Sequence, residues 1–196
     1  MRHAADVCTA LRVVLAPVLA WELGRARADV GWMPFAIYVA AAATDYVDGA
    51  LARSADTASR RGRLFDHGAD ALLLFPAFLV LAAEWRVPWI LPGAAMLAFT
   101  LYVLDGWRRA GSVAALELIG SRSGAVGGVL NYVIVGAATA AVALDHAAVD
   151  AAIYAAAFAV AAVNGAAVLE RATGLFTTAR GSLAARREPR ASRSSP

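Results

Sequence analysis

Apolar residues in this chain fall into long blocks separated by short charged stretches. Three blocks, Val87–Leu104, Ser123–Leu144 and Ala151–Leu169, contain no acidic or basic side chain. A helix that crosses ~30 Å of hydrocarbon needs about 20 mostly apolar residues, so each block predicts a transmembrane helix. Three further blocks are less clean. Val13–Leu23 carries Glu22 near one end and needs Val7–Leu11 to reach spanning length. Gly31–Thr44 runs into Asp45, and Ala71–Ala83 follows Asp66 and Asp70. The pattern therefore predicts six helices, with the start of the first and the end of the second least sharply marked.

Composition supports a membrane bundle. Of 196 residues, 60% are hydrophobic and 17% charged, and the mean hydropathy is +0.59. Soluble domains carry roughly 45–50% apolar and about 25% charged residues. Disorder, a coiled coil and an ordinary water-soluble fold are excluded for most of the chain. Cys8 is the one cysteine, which rules out an internal disulfide and any multi-cysteine metal site. His3, His67 and His146 are too scattered to predict a histidine-built zinc centre. No cleavable leader is expected, because Trp21 and Glu22 stand where small residues would be needed.

All 18 basic residues are arginine. With the first residue in the cytoplasm, fifteen of them fall in inside segments and three, Arg25, Arg27 and Arg86, in outside loops. The positive-inside rule then places both termini in the cytoplasm. The Arg-, Ser- and Pro-containing stretch from Thr177 onward is expected to be disordered. This divides the chain into a membrane domain, 1–179, and a basic cytoplasmic tail, 180–196. Trp21, Trp32, Trp85, Trp89 and Trp107 lie near predicted helix ends, as an aromatic belt requires. Asn131 and Asn164, inside apolar helices, are expected to hydrogen-bond between helices. No nucleic-acid partner is expected.

The chemistry concentrates in TDYVDGALARSADTASRRGRLFDHGADALLL, residues 44–74. Asp45 and Asp48 are three apart, Gly49 is four from Asp45 and Ala52 four from Asp48, so all share one helical face. Gly62, Asp66 and Asp70 repeat at four on the next helix. The connection between the two helices is short, which predicts that they are spatial neighbours with four converging carboxylates. Such a cluster beside a bilayer has to be neutralised, by arginine or by divalent cations. Oxygen-only ligation favours Mg2+ or Mn2+ over zinc. Two such ions ~3.5–4 Å apart form a clamp for the attacking and leaving oxygens at phosphorus.

Asp45-x2-Asp48-Gly49-x2-Ala52-Arg53-x8-Gly62-x3-Asp66-x3-Asp70 resembles the signature of the CDP-alcohol phosphatidyltransferases in every fixed position and gap. Asp6-Val7-Cys8-Thr9-Ala10-Leu11-Arg12 is similar to the family's Asn-x2-Thr-x2-Arg element, with Asp6 in place of asparagine. The resemblance implies transfer of a substituted phosphate from a CDP-linked lipid, usually CDP-diacylglycerol, to an alcohol, with release of CMP. It implies that Asp45 and Asp66 bridge two metal ions, that Asp48 and Asp70 complete the two sites, and that Asp70 takes the acceptor's proton. Donor contacts carried over by position are Asp6, Val7, Cys8, Thr9, Gly49, Ala52, Arg53, Ser59 and Gly62. It also implies a six-helix all-α membrane bundle whose polar active-site cavity faces the cytoplasm, in the inner membrane of a bacterium, and a homodimer.

Arg108, Arg109 and Arg122 flank the loop between the fourth and fifth helices and are candidates for an acceptor phosphate, arginine matching phosphate by its bidentate fork. The family's glycerol-phosphate branch has Gly-Lys-x-Lys at the start of the fifth helix. Here that stretch is Ser121-Arg122-Ser123-Gly124-Ala125-Val126-Gly127-Gly128, without a base at Ala125 or Gly127. Glycerol 3-phosphate is the favoured acceptor, with inositol phosphate, serine or another phospholipid alcohol left open. A transporter or a membrane scaffold remains as a non-enzymatic alternative.

Overall fold

The computed structural model describes residues 2–25, 31–54, 60–110 and 120–187, with side chains described at 10–25, 31–44, 67–110 and 120–174. Among the described residues six helices follow one another: α1 (Arg2–Arg25), α2 (Met33–Ser54), α3 (Arg60–Ala83), α4 (Ile90–Ala110), α5 (Arg122–Leu144) and α6 (Ala147–Arg187). Among the described residues no strand occurs. The three helices α4, α5 and α6 include stretches long and apolar enough to cross a membrane, Ile90–Ala110, Arg122–Leu144 and Ala147–Gly174. They match the three charge-free blocks of the sequence. Met33–Thr44 and His67–Ala83 are shorter apolar portions of α2 and α3.

One difference from the sequence pattern has a physical cause. Helix α6 continues to Arg187, past Thr177, where a disordered tail was expected. The segment TTARGSLAARR is rich in Ala, Leu and Arg, strong helix formers, and meets no proline before Pro189. Residues 188–196 lie outside the described residues. Among the described residues α2 and α3 both pack on α1 and both also reach α5; the side chains of residues 45–66, where the sequence has the two helices meet, lie outside the described residues. The buried side of α1 consists of Ala16, Leu19 and Leu23 together with Arg12.

Helices α4 and α5 pack on α6 to complete a second group, which meets the first through α2–α5, α3–α4 and α3–α5 contacts. Leu19, Ala41, Leu73, Phe78, Leu81, Val135 and Ala157 fill the centre. One close approach fixes the junction: a Cβ on Gly136 would stand 2.7 Å from the ring of Tyr38. Pro17 and Pro76 sit inside α1 and α3, positions that helices packed in a membrane bundle tolerate. At the end of the bundle where α3 leads into α4, Arg86 donates to Asp150 at 2.8 Å, tying that loop to the start of α6. All five tryptophans are exposed at helix ends or in connections.

Asn131 on α5 and Asn164 on α6 form a reciprocal amide pair, with N–H···O distances of 3.2 and 2.9 Å. Gly127 makes room for it: a Cβ there would lie 3.1 Å from Asn164 Oδ1. Truncating Asn164 to alanine leaves a buried amide of Asn131 without its partner. The expected cost is about 1–2 kcal/mol, read as a lowered midpoint in detergent-mediated unfolding. An unchanged midpoint would show that the pair adds nothing to the bundle.

Candidate active site

Three helices that start at the same end of the bundle bring one residue each to a common point. Arg12, Asp70 and Tyr132 are each ten residues into α1, α3 and α5, about 15 Å along each axis at 1.5 Å per residue. Arg12 heads the buried face that continues with Ala16, Leu19 and Leu23. Asp70 heads the corresponding face of α3, followed by Leu73, Ala77 and Leu81. Arg12 Nη1 donates to Asp70 Oδ1 at 2.7 Å, and the Tyr132 hydroxyl donates to the same oxygen at 2.6 Å. The Arg12 side chain is wholly buried, whereas that of Asp70 retains 24% exposure. Its carboxyl is thus gripped from inside and open on one side.

Tyr132 is itself fixed. The Tyr38 hydroxyl of α2 donates to its backbone oxygen at 2.6 Å. Tyr38 lies seven residues before Asp45, on the same face of α2. The phenol contact therefore sets the axial position of the helix that carries Asp45 and Asp48 against the helix that positions Asp70.

Asp70 borders a cavity of about 590 Å3 between α3, α4, α5 and α6. Its polar lining comprises His67, Asp70, Tyr102, Asn131, Tyr132, Asn164 and Arg171. Arg171, 8% exposed, ends the buried face of α6 that runs through Ala157, Ala161 and Asn164. Its Nη1 donates to Asp105 at 3.3 Å, and its guanidinium lies 4.6 Å from the centre of the Tyr102 ring. The Tyr102 hydroxyl is 3.2 Å from His67 Nε2. Asp105 also accepts both ends of the Arg109 fork, at 3.1 and 2.8 Å. Arginine carries five N–H donors in a plane, so an ion pair at one nitrogen is compatible with a second oxyanion.

The sequence candidates divide as follows. Asp70 is at the cavity edge. Asp45 and Asp48 lie on α2 and Asp66 on α3, and their side chains lie outside the described residues. The same holds for Asp6, Val7, Cys8 and Thr9 on α1, for Gly49, Ala52 and Arg53 on α2, and for Gly62 on α3. Ser59 is outside them altogether. Among the described side chains no group of three metal-ligating residues occurs. Arg108, Arg109 and Arg122 are exposed and do not line the cavity; Arg109 is engaged by Asp105. A Cβ on Gly128 would meet no atom within 4 Å.

Sequence reasoning did not single out Tyr132, Tyr102 or Arg171, and read Arg12 only as a motif position and an inside charge. A cation between Leu11 and Val13, in mid-helix, is itself a signal, because intramembrane charges pair or act.

Comparison with known proteins supplies the context. A stretch of 96 residues, 46% of this chain, is 41% identical to a CDP-diacylglycerol–glycerol-3-phosphate 3-phosphatidyltransferase of Yersinia enterocolitica. Proteins of the same name from Escherichia coli K12 and Shigella flexneri are 38% identical over 96 residues. In each case the match covers 50% of the relative, so the chain spans about half the length of the curated relatives it matches. The family model for CDP-alcohol phosphatidyltransferase matches residues 2–176, from the first turn of α1 into α6, and so takes in Arg12, Asp70, Tyr132 and Arg171 together with the four-aspartate signature. With nearly the whole chain matched, the protein belongs to the CDP-alcohol phosphatidyltransferase family.

Proposed function

We propose that this protein transfers the phosphatidyl group of CDP-diacylglycerol to glycerol 3-phosphate, releasing CMP, at the cytoplasmic face of a bacterial inner membrane. The observation that carries the reading is the setting of Asp70: the last aspartate of the signature, oriented by Arg12 and Tyr132, at the edge of a cavity with room for an acceptor. The six helices form the membrane domain, with both termini inside as the arginine distribution favours.

The acceptor is an alcohol, a poor nucleophile, and needs a base within hydrogen-bond reach. Asp70 takes the hydroxyl proton as the acceptor oxygen forms its bond to phosphorus. The bond from that phosphorus to the CMP oxygen breaks, and CMP leaves with the electron pair. Arg12 and Tyr132 donate to one oxygen of Asp70 and hold its rotamer. Arg53, with Gly49, Ala52, Ser59, Gly62 and Asp6 to Thr9, would hold the nucleotide by family position. Asp45, Asp48, Asp66 and Asp70 offer only carboxylate oxygens, a donor set suited to two Mg2+ or Mn2+ ions. Such ions would supply positive charge to the pyrophosphate oxygens.

For the acceptor phosphate the structure favours Arg171 over Arg108, Arg109 and Arg122, because Arg171 alone of the four lines the cavity. Asp105 and the Tyr102 ring fix its direction. Arg171→Ala is expected to raise the KM for glycerol 3-phosphate at least tenfold, about 1.4 kcal/mol, while the KM for CDP-diacylglycerol stays within about twofold. Equal losses for both substrates would return Arg171 to a purely structural role.

The reading as a whole is tested by CMP release from labelled CDP-diacylglycerol in membranes, with Mg2+ and a panel of glycerol 3-phosphate, inositol phosphate and serine. No release with any acceptor would overturn it. Release with inositol phosphate or serine alone would keep the chemistry and change the acceptor.

A further inference from the structure

The amide pair between α5 and α6 has one donor left over. Asn164 directs both its amide protons inward, to Asn131 Oδ1 at 2.9 Å and to the Val160 carbonyl at 3.0 Å. Asn131 directs one, to Asn164 Oδ1 at 3.2 Å. A side-chain amide carries two N–H donors, so the second N–H of Asn131 meets no acceptor among the described residues. Asn131 is 9% exposed and Asn164 3%. A donor so deeply buried costs free energy unless it finds a partner. Both amides line the cavity, so a molecule that enters it meets that donor.

The helices set its place relative to the base and to the cavity's arginine. On α5, Asn131 immediately precedes Tyr132, whose hydroxyl holds Asp70, and one residue is about 1.5 Å along the axis. On α6 the lining residues are Asn164, Ala167 and Arg171, three and four apart and hence on one face. A Cβ on Gly124 would stand 3.8 Å from Arg171 Nη2, which puts the guanidinium beside Gly124. From Gly124 to Asn131 is seven residues, about 10.5 Å along α5. A hydrogen bond of about 2.9 Å at each end takes up more than half of that. The remainder is the reach of a short carbon chain between a phosphate and a hydroxyl.

We propose that Asn131 is a specificity residue for the acceptor: its spare amide proton donates to the hydroxyl oxygen next to the one that attacks, so the site selects a phospho-alcohol with vicinal hydroxyls. The inference rests on the transferase reading above, with the acceptor phosphate at Arg171. In glycerol 3-phosphate the recognised group is the C2 hydroxyl. The attacking oxygen is the wrong target for this donor. It gives its proton to Asp70 and its lone pair to phosphorus, and an N–H bonded there would hold back the pair that must form the new bond. The C2 oxygen keeps its bonds throughout and can accept from start to finish. With the phosphate seated, that contact turns the C1 hydroxyl toward Asp70. An acceptor without the neighbouring hydroxyl leaves a buried donor unpaired, which is how a polar site rejects a deoxy analogue. Inositol phosphate offers vicinal hydroxyls as well, whereas serine does not.

The test uses the full-length protein in detergent with saturating CDP-diacylglycerol and Mg2+. It reads CMP release with glycerol 3-phosphate and with 3-hydroxypropyl phosphate, the same molecule without the C2 hydroxyl. The unmodified protein is expected to favour glycerol 3-phosphate by about tenfold or more in kcat/KM. In Asn131→Ala the preference should fall to within about twofold. A loss of folded protein lowers both rates together and drops out of the ratio. Asn164→Ala breaks the same amide pair but leaves the donor, so its preference should stay near that of the unmodified protein. Equal use of the two acceptors by the unmodified protein would overturn the assignment, with no variant needed. So would an undiminished preference in Asn131→Ala, or a loss in Asn164→Ala as large as that in Asn131→Ala. In all three cases CMP release with glycerol 3-phosphate still stands; its absence from the unmodified protein removes the transferase reading instead.

Discussion

Asp70→Asn is expected to cut CMP release by about 10²–10⁴-fold, the usual contribution of a positioned base. The change keeps the shape and the acceptor oxygen that Arg12 and Tyr132 bond, so the fold should persist. Donor binding should change far less than turnover, because the hydroxyl proton matters only as the acceptor attacks. The comparison is made on purified protein with saturating CDP-diacylglycerol and Mg2+. Full turnover in the asparagine variant would remove Asp70 as the base, whatever its part in holding metal.

The second large effect concerns stability. Arg12→Met keeps the length and apolar stem of the side chain and deletes the guanidinium. It leaves the Asp70 carboxylate three-quarters enclosed with Tyr132 but without its cation. Breaking one partner of a buried ion pair costs about 3–5 kcal/mol, and the remaining exposure of Asp70 puts the expected loss near the lower end. Thermal unfolding in detergent measures it. Combining Arg12→Met with Asp70→Asn should recover much of the loss, since the orphaned charge is then gone. A double variant as unstable as the sum of the two singles would mean that the pair is not coupled.

What the sequence disclosed and what it concealed follow from the range of the interactions. The blocks that became α4, α5 and α6 were plain because hydrocarbon demands a local composition, readable residue by residue. The amide pair Asn131–Asn164 was legible for the same reason, a polar group in an apolar run needing a partner across helices. The four aspartates stood out through spacing. By contrast, Arg12, Asp70 and Tyr132 are 58 and 62 residues apart in sequence, and nothing local pairs them. That α1 receives both α2 and α3 was equally hidden, because it depends on the fit of side chains far apart in the chain. The acceptor arginines were sought where charge is dense, in the α4–α5 loop, while Arg171, which lines the cavity, ends an otherwise uncharged face of α6. Tyr102 and Tyr132 gave no signal, because an aromatic residue in an apolar helix reads as packing until its hydroxyl has somewhere to point.

Arg12 also has a consequence for how the chain is made. In the six-span reading, α1 enters the bilayer before α3 is made, carrying a guanidinium near its midpoint, and a lone arginine there costs about 2.5–3.5 kcal/mol on insertion scales. Its carboxylate partner is synthesised 58 residues later. Until α3 emerges, the first helix is a poor resident of the bilayer and stays shallow, or tilted with its arginine drawn toward the headgroups. On that reading insertion is not helix by helix: α1 would settle to full depth as α3 docks against it, with the Asp70 carboxylate as the latch.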